Sequence, residues 1–317
     1  MTDTQNEVFK TPVNKIRLFE HGAPGSQNLK LTRKYYTEDM PDGRVKHIVQ
    51  NITDPDIVPY IPDGIGNSTD RQRIPAVLII PGGAFRRLVY NFEGEDVAKW
   101  LNSMGIAAFV LECRLPSDEH DNAEDVPLID AMRAMRVIRG RAQEFGIDEA
   151  KIGVMGFSAG GFMAALLSTA YESDVYADYK YKDEYDKLSA RPDFAVCSYP
   201  VISIDDCIEA GKRYMSEEQV LERISDSKAK ILHKYNPDKL VRPDMPPVFI
   251  CETDDDRTTL SENSVSFYMA ARKAGVSAEL HIFRTGGHGY GCGDDFAQTG
   301  EWKVLFTKWI KSIGIIS

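Results

Sequence analysis

From residue 74 onward the chain alternates short continuous apolar runs with stretches in which apolar residues return every third or fourth position. The runs lie at 74–80, 106–111, 152–155, 194–199, 248–251 and 278–283. They are too short for buried helices and lack the in-out alternation of a half-solvated strand, so they predict strands covered on both faces. Between them, 93–104 places Val97, Trp100 and Leu101 on one helical face, and 127–145 does the same with Leu128, Met132, Met135, Ile138 and Ala142. Residues 159–169, 261–274 and 301–313 complete the set of expected helices. Strands alternating with helices predict the α/β class, a mostly parallel central sheet with helices on both faces.

The flanking stretches are less regular. Residues 45–52 and 57–61 are expected to be short strands leading into the sheet, and 62–70 a turn-rich loop by its Gly, Asn and Asp content. Residues 1–28 are polar with scattered Gly and Pro and are expected to wrap the surface as an N-terminal extension. Two segments interrupt the alternation. Residues 171–189 carry five tyrosines among charges and suggest a solvated excursion. Residues 204–240, polar and largely helical, enter between the fourth and fifth apolar strands and suggest a small partial cap over a pocket. No internal repeat is present, and 1–317 is expected to be a single domain.

Composition narrows the partners. A hydrophobic content of 43% fills a large core, and a net charge of -10 argues against nucleic acid or anionic membrane as a partner, since either would be repelled. The first residues show no basic region followed by an apolar core, and no run reaches the roughly 18 apolar residues of a membrane span. The expectation is a soluble cytoplasmic protein, with homo-oligomerisation left open. Five cysteines, odd in number and without a C-x-x-C pair, suit reduced thiols and not a disulfide framework or a zinc site.

The chemistry gathers at Gly156-Phe-Ser158-Ala-Gly160, where the 152–155 strand stops and the 159–169 helix begins. A serine at so sharp a turn is lifted clear of the sheet, and the first N–H groups of the helix, including that of Ala159, face any negative charge that develops beside it. Such a nucleophile needs a base. Of six histidines, His288 alone lies in a glycine-rich loop after a strand, Thr285-Gly-Gly-His288-Gly-Tyr-Gly291. His281 lies inside a strand and reads as structural, while His21, His47, His120 and His233 have nothing around them to recruit. The orienting carboxylate should follow a strand, and 252–257 offers Glu252, Asp254, Asp255 and Asp256, between which residue chemistry does not choose. The aspartate triplet lacks the alternation of a calcium loop, so neither metal nor organic cofactor is expected. Pro81-Gly-Gly83-Ala84 follows its strand where backbone N–H donors for an oxyanion are wanted, and the N–H groups of Gly83 and Ala84 can join that of Ala159.

With these parts in the order oxyanion loop, serine, acid, histidine, the chain resembles the α/β-hydrolases, in particular the bacterial acetyl esterases and xylan-esterase-like carboxylesterases related to the hormone-sensitive lipase group. The resemblance runs from about residue 60 to 313. It is carried by Pro81-Gly-Gly-Ala-Phe85, Glu93-Gly94, Trp100-Leu-Asn102, Gly105-Ile-Ala-Ala108, Arg114-Leu-Pro116, Gly153 through Gly161, Arg191-Pro-Asp-Phe194 and Gly286-Gly-His-Gly289. It implies an acid at the D-x-x-V-P position, here Asp256-Arg-Thr-Thr-Leu260, and so selects Asp256; the Val-Pro is missing. It also implies short acyl esters, often acetyl groups on sugars, as small-molecule substrates. The expected catalytic set is therefore Ser158, His288 and Asp256, with Gly83, Ala84 and Ala159 holding the oxyanion. A peptidase or arylformamidase of the same fold, or a ligand-binding homologue without chemistry, are the alternatives.

Overall fold

The apolar runs become the middle of an eight-stranded sheet in the computed structural model, which describes residues 9, 13–64, 73–213, 215–223, 227–293 and 298–317. In chain order the strands are β1 (Ile16–Arg17), β2 (Lys34–Asp39), β3 (Val45–Gln50), β4 (Asp56–Tyr60), β5 (Ile74–Ile80), β6 (Leu88–Val89), β7 (Ala107–Glu112), β8 (Ile147–Phe157), β9 (Ala195–Ser198), β10 (Val248–Thr253) and β11 (Ala278–Phe283). The helices are α1 (Asp96–Ser103), α2 (Val126–Gly140), α3 (Ala142–Phe145), α4 (Ala159–Ala170), α5 (Ile204–Gly211), α6 (Glu217–Arg223), α7 (Ser227–Lys234), α8 (Ser261–Lys273) and α9 (Glu301–Ser312).

The large sheet is ordered β1-β4-β7-β5-β8-β9-β10-β11. Its first two strands pair antiparallel, and β7 through β11 pair parallel. Every residue of β7, β9 and β10 is buried, as a sheet covered on both faces requires. Parallel pairing brings the carboxyl ends of β5, β8, β10 and β11 to one edge, so the loops after Ile80, Phe157, Thr253 and Phe283 meet there. That edge is where open α/β sheets bind ligands. Among the described residues no helix is long and apolar enough to cross a membrane.

Four expectations differ from what forms. Residues 45–50 do not lead into the large sheet; β3 pairs with β2 and β6 in a separate three-stranded sheet. The strand β2, Lys-Tyr-Tyr-Thr-Glu-Asp, has no apolar run to betray it because none of its residues is buried. The extended helix 127–145 divides at Arg141 into α2 and α3, next to Gly140, which packs directly under the Tyr185 ring. Within the N-terminal extension, β1 joins the large sheet, and Leu18, Phe19 and Ala23 are buried.

The tyrosine-rich segment is likewise a packed strap. Tyr171 and Tyr176 are buried, the Tyr176 hydroxyl donates to Asp186 and contacts the Arg136 guanidinium on α2, and the Tyr179 hydroxyl donates to the Gly22 carbonyl. Arg133 of α2 pairs with Asp183 and Asp186 in the same strap. Amphipathic tyrosines bury their rings while keeping the hydroxyl bonded, which composition alone reads as solvation. Residues 65–70 of the expected loop lie outside the described residues, as do 1–8 and 10–12 of the extension and 214 and 224–226 of the insertion. Cys113, Cys197, Cys251 and Cys292 are buried and not in disulfides.

Candidate active site

The serine turn works by the absence of side chains around it. Ser158 has φ 53° and ψ -118°, a conformation that L-residues rarely adopt and that persists only where the surroundings over-determine it. A Cβ on Gly156 would overlap the Gly160 carbonyl, and one on Gly160 would overlap the Ile80 carbonyl. The two glycines let β8 and α4 close up, and the Ser158 N–H is held by the Ser198 carbonyl at 3.0 Å. The Ser158 carbonyl in turn accepts the Phe162 N–H at 3.0 Å, which starts α4.

His288 arrives from the loop after β11. Its Nε2 lies 2.8 Å from Ser158 Oγ, and its Nδ1 lies 2.6 Å from Asp256 Oδ2. Asp256, which follows β10, is 1% exposed, and its second oxygen accepts the N–H groups of Thr258 at 2.7 Å and Thr259 at 3.0 Å. Thr259 Oγ1 donates to Asp256 Oδ2 at 3.0 Å and stands 3.1 Å from His288 Nδ1. Such a cradle holds the carboxylate aimed at the imidazole. An imidazole with a hydroxyl on one nitrogen and a buried carboxylate on the other can take the hydroxyl proton and hold it in one tautomer.

Two neighbouring carboxylates, Asp255 in that loop and Glu252 on β10, have other tasks. Asp255 Oδ1 accepts the N–H groups of Gly286 and Gly287 at 2.9 and 2.8 Å and so shapes the histidine loop. Glu252 is fully buried and accepts from Ser264 Oγ; burial, and then the Asp256 charge, push its carboxyl well above the usual range. His281 pairs with Glu279 on β11, away from the serine.

Gly83, Ala84 and Ala159 line the same cavity as Ser158 and His288. Gly83, Ala84 and Phe85 all carry positive φ, at 136°, 60° and 62°. For an alanine and a phenylalanine that is strained, and the strain turns the loop back over the serine. At Ala159, the first residue of α4, the N–H has no intrahelical acceptor.

Two residues beneath this loop escaped the reading of the sequence. Glu93 is 5% exposed; its Oε2 accepts the Gly82 N–H at 2.8 Å and its Oε1 accepts the Tyr199 hydroxyl at 2.9 Å. Burial raises its pKa, opposed by the His288 charge and by these two hydrogen bonds. Tyr199 has φ 38°, sets its ring edge-on to the His288 imidazole with centroids 5.0 Å apart, and accepts the Gly291 N–H on its hydroxyl at 3.0 Å. A single buried carboxylate thus ties the oxyanion loop to the histidine loop. The only signal for it was Glu93-Gly94, which carried resemblance and no role.

The chain is similar in sequence and in fold to known proteins. The family described as BD-FAE matches residues 65–270. An acetylxylan esterase of Xylanibacter ruminicola is 31% identical over 240 residues, 75% of this chain and 45% of that protein. Endo-1,4-beta-xylanase B of Butyrivibrio fibrisolvens is 31% identical over 227 residues, 71% of this chain and 34% of that protein. The chain thus spans less than half the length of these curated relatives. Among solved structures, the acetyl ester-xyloside bifunctional hydrolase from Caldicellulosiruptor lactoaceticus superposes with a TM-score of 0.69 at 37% identity, covering 84% of this chain and 91% of that one. The fold is that of the α/β-hydrolases.

Proposed function

Because the chain belongs to the BD-FAE family of α/β-hydrolase esterases, we propose that it is a serine carboxylesterase that removes short acyl groups, acetyl above all, from small esters such as acetylated xylo-oligosaccharides. The observation that carries the reading is the relay from Ser158 Oγ through His288 to Asp256, with hydrogen-bond distances of 2.8 and 2.6 Å. The names of the acetylxylan esterase and acetyl ester-xyloside hydrolase relatives support the choice of ester.

In this reading Ser158 Oγ attacks the ester carbonyl carbon while His288 Nε2 takes its proton. Asp256 fixes the tautomer and stabilises the imidazolium that forms. Negative charge on the carbonyl oxygen falls to the N–H groups of Gly83, Ala84 and Ala159. Collapse expels the alcohol, which leaves with the proton from His288, and the acyl group stays on Ser158. Water, deprotonated by His288, then attacks the acyl-enzyme and regenerates the serine. We assign the insertion 204–240 to the pocket as a partial cap. Gly211, Met215, Val220 and Leu232 support this by lining the cavity, of about 540 Å³, that opens onto Ser158.

Ser158→Ala is expected to lower turnover of p-nitrophenyl acetate by at least ~1000-fold with an unchanged melting temperature; retained turnover removes Ser158 from the role. On a p-nitrophenyl ester series, kcat/KM is expected to fall beyond about butyryl, because the Ala84 methyl stands in the oxyanion loop where glycine would leave acyl room. A preference for octanoate contradicts that assignment.

A further inference from the structure

The cavity above Ser158 is lined by cations as well as by apolar side chains. The insertion 204–240 contributes Met215, Val220 and Leu232; the β2–β3 hairpin and the oxyanion loop contribute Arg44, Lys46 and Arg87, and the loop after β10 adds Arg257. Among the described residues, four cations line a cavity in a chain whose net charge is -10. Among the described residues the one carboxylate in the lining is Glu93, buried beneath the oxyanion loop and bound to Gly82 and Tyr199. The whole-molecule field repels anions, so a cationic lining is a local feature that lets an anion approach this one cleft.

The cations are held in place. Arg44 forks onto Asp42 at 3.0 and 2.8 Å and lies over the Phe92 ring, and Arg87 pairs with Glu38, so Asp42 and Glu38 offset part of their charge. Lys46 is different. It faces Glu38 across the β2–β3 register, yet among the described residues no carboxylate stands within 4.0 Å of its ammonium. Its charge is instead felt at Glu93, at the floor of the site. A half-buried ammonium with no carboxylate on it, beside two oriented guanidinium groups, suits a ligand carboxylate, and charge-assisted hydrogen bonds there are stronger than neutral ones. The aliphatic side chains Met215, Val220 and Leu232 in the same lining suit the C–H face of a sugar ring.

We propose that this cationic lining is a subsite for a carboxylate on the alcohol part of the ester, which on a carbohydrate is the uronic acid branch of an acetylated xylo-oligosaccharide. The inference rests on the reading of Ser158 as the nucleophile of a sugar esterase and names its preferred substrate class. The chemistry is unchanged: the anion positions the leaving group, and Ser158 takes the acyl group as above.

Titration calorimetry on the Ser158→Ala protein tests it with two unacetylated ligands, xylotriose bearing one glucuronosyl branch and xylotetraose. The branched ligand is expected to bind at least about tenfold more tightly. That advantage is expected to shrink at 0.5 M salt and in the Ser158→Ala/Lys46→Met protein. The salt series needs no second variant, so it stands even where Lys46→Met folds poorly. Equal affinities, or an advantage indifferent to both salt and Lys46, overturn the subsite. In the unsubstituted protein, turnover of p-nitrophenyl acetate together with equal affinities leaves the esterase reading intact and removes only the subsite. Absence of ester turnover removes both.

Discussion

At the scale of single residues, the site is organised by one carboxylate buried beneath the oxyanion loop. Glu93 receives the Gly82 N–H and the Tyr199 hydroxyl, and through them it spaces the oxyanion loop from the histidine loop. Removing it leaves two buried donors without acceptors, at roughly 1–3 kcal/mol each. Glu93→Ala is therefore expected to lower the midpoint of denaturant unfolding and to reduce kcat on p-nitrophenyl acetate by about 10–100-fold. Glu93→Gln keeps an acceptor oxygen and should recover part of both. A wild-type kcat in Glu93→Ala would mean that the loops hold their spacing unaided. Sequence reasoning missed this residue because Glu93 stands at the start of the expected helix 93–104, where a carboxylate asks for no partner, and only the fold shows that its side chain is buried. The same limit left four carboxylates open after β10. Asp255 and Asp256 are neighbours with identical chemistry, and it is their direction that separates a loop anchor from a partner of His288.

At the scale of elements, the serine turn depends on how closely a strand and a helix can approach. Gly160 sits against the Ile80 and Pro81 carbonyls, so a methyl there must push α4 away from β5. Gly160→Ala is expected to destabilise the fold by about 2–3 kcal/mol and to abolish p-nitrophenyl acetate turnover by displacing Ser158. Thermal unfolding together with turnover checks both halves, and a wild-type melting point would show that the junction has slack. Most legible beforehand are elements that are almost wholly buried: β7, β9 and β10 are buried along their whole length, β5 is buried except at Ile74, and α4 is buried along nearly its whole length. Those that escaped are half-exposed. β2 pairs through its backbone while its side chains stay partly in solvent, so hydrophobic periodicity has nothing to register. The break between α2 and α3 comes from the Tyr185 ring on Gly140, a contact between segments that no local window contains.

At the scale of the whole molecule, the N-terminal segment is fastened to the body by polar bonds. The Arg114 guanidinium, fully buried against Asp130, donates to the Pro24 carbonyl and to Ser26 Oγ, and Ser26 Oγ also stands 3.0 Å from His120 Nδ1. Burial, and next the Arg114 charge, push the His120 pKa down to about 4. The native state therefore keeps this imidazole neutral where the unfolded chain, near its ordinary 6.5, already takes a proton. Between those values the unfolded state binds more protons, so stability rises with pH across the window and is lost on acidification from 6.5 towards 4. His120→Gln is expected to flatten that rise, which amounts to at most about 3 kcal/mol across the window and less where solvent screens the imidazole. Urea midpoints for both proteins at intervals across this range read it directly, and parallel curves would assign the acid sensitivity elsewhere.

The spacing of the relay along the chain also has a consequence for biosynthesis. Ser158 leaves the ribosome 130 residues ahead of His288. The glycine loop carrying that imidazole is then pinned from behind by Trp302 of α9, whose indole N–H donates to the Gly291 carbonyl. On the proposed mechanism, a nascent chain can thus hold a finished serine turn and still be inert, and the onset of hydrolysis during translation would time the docking of α9.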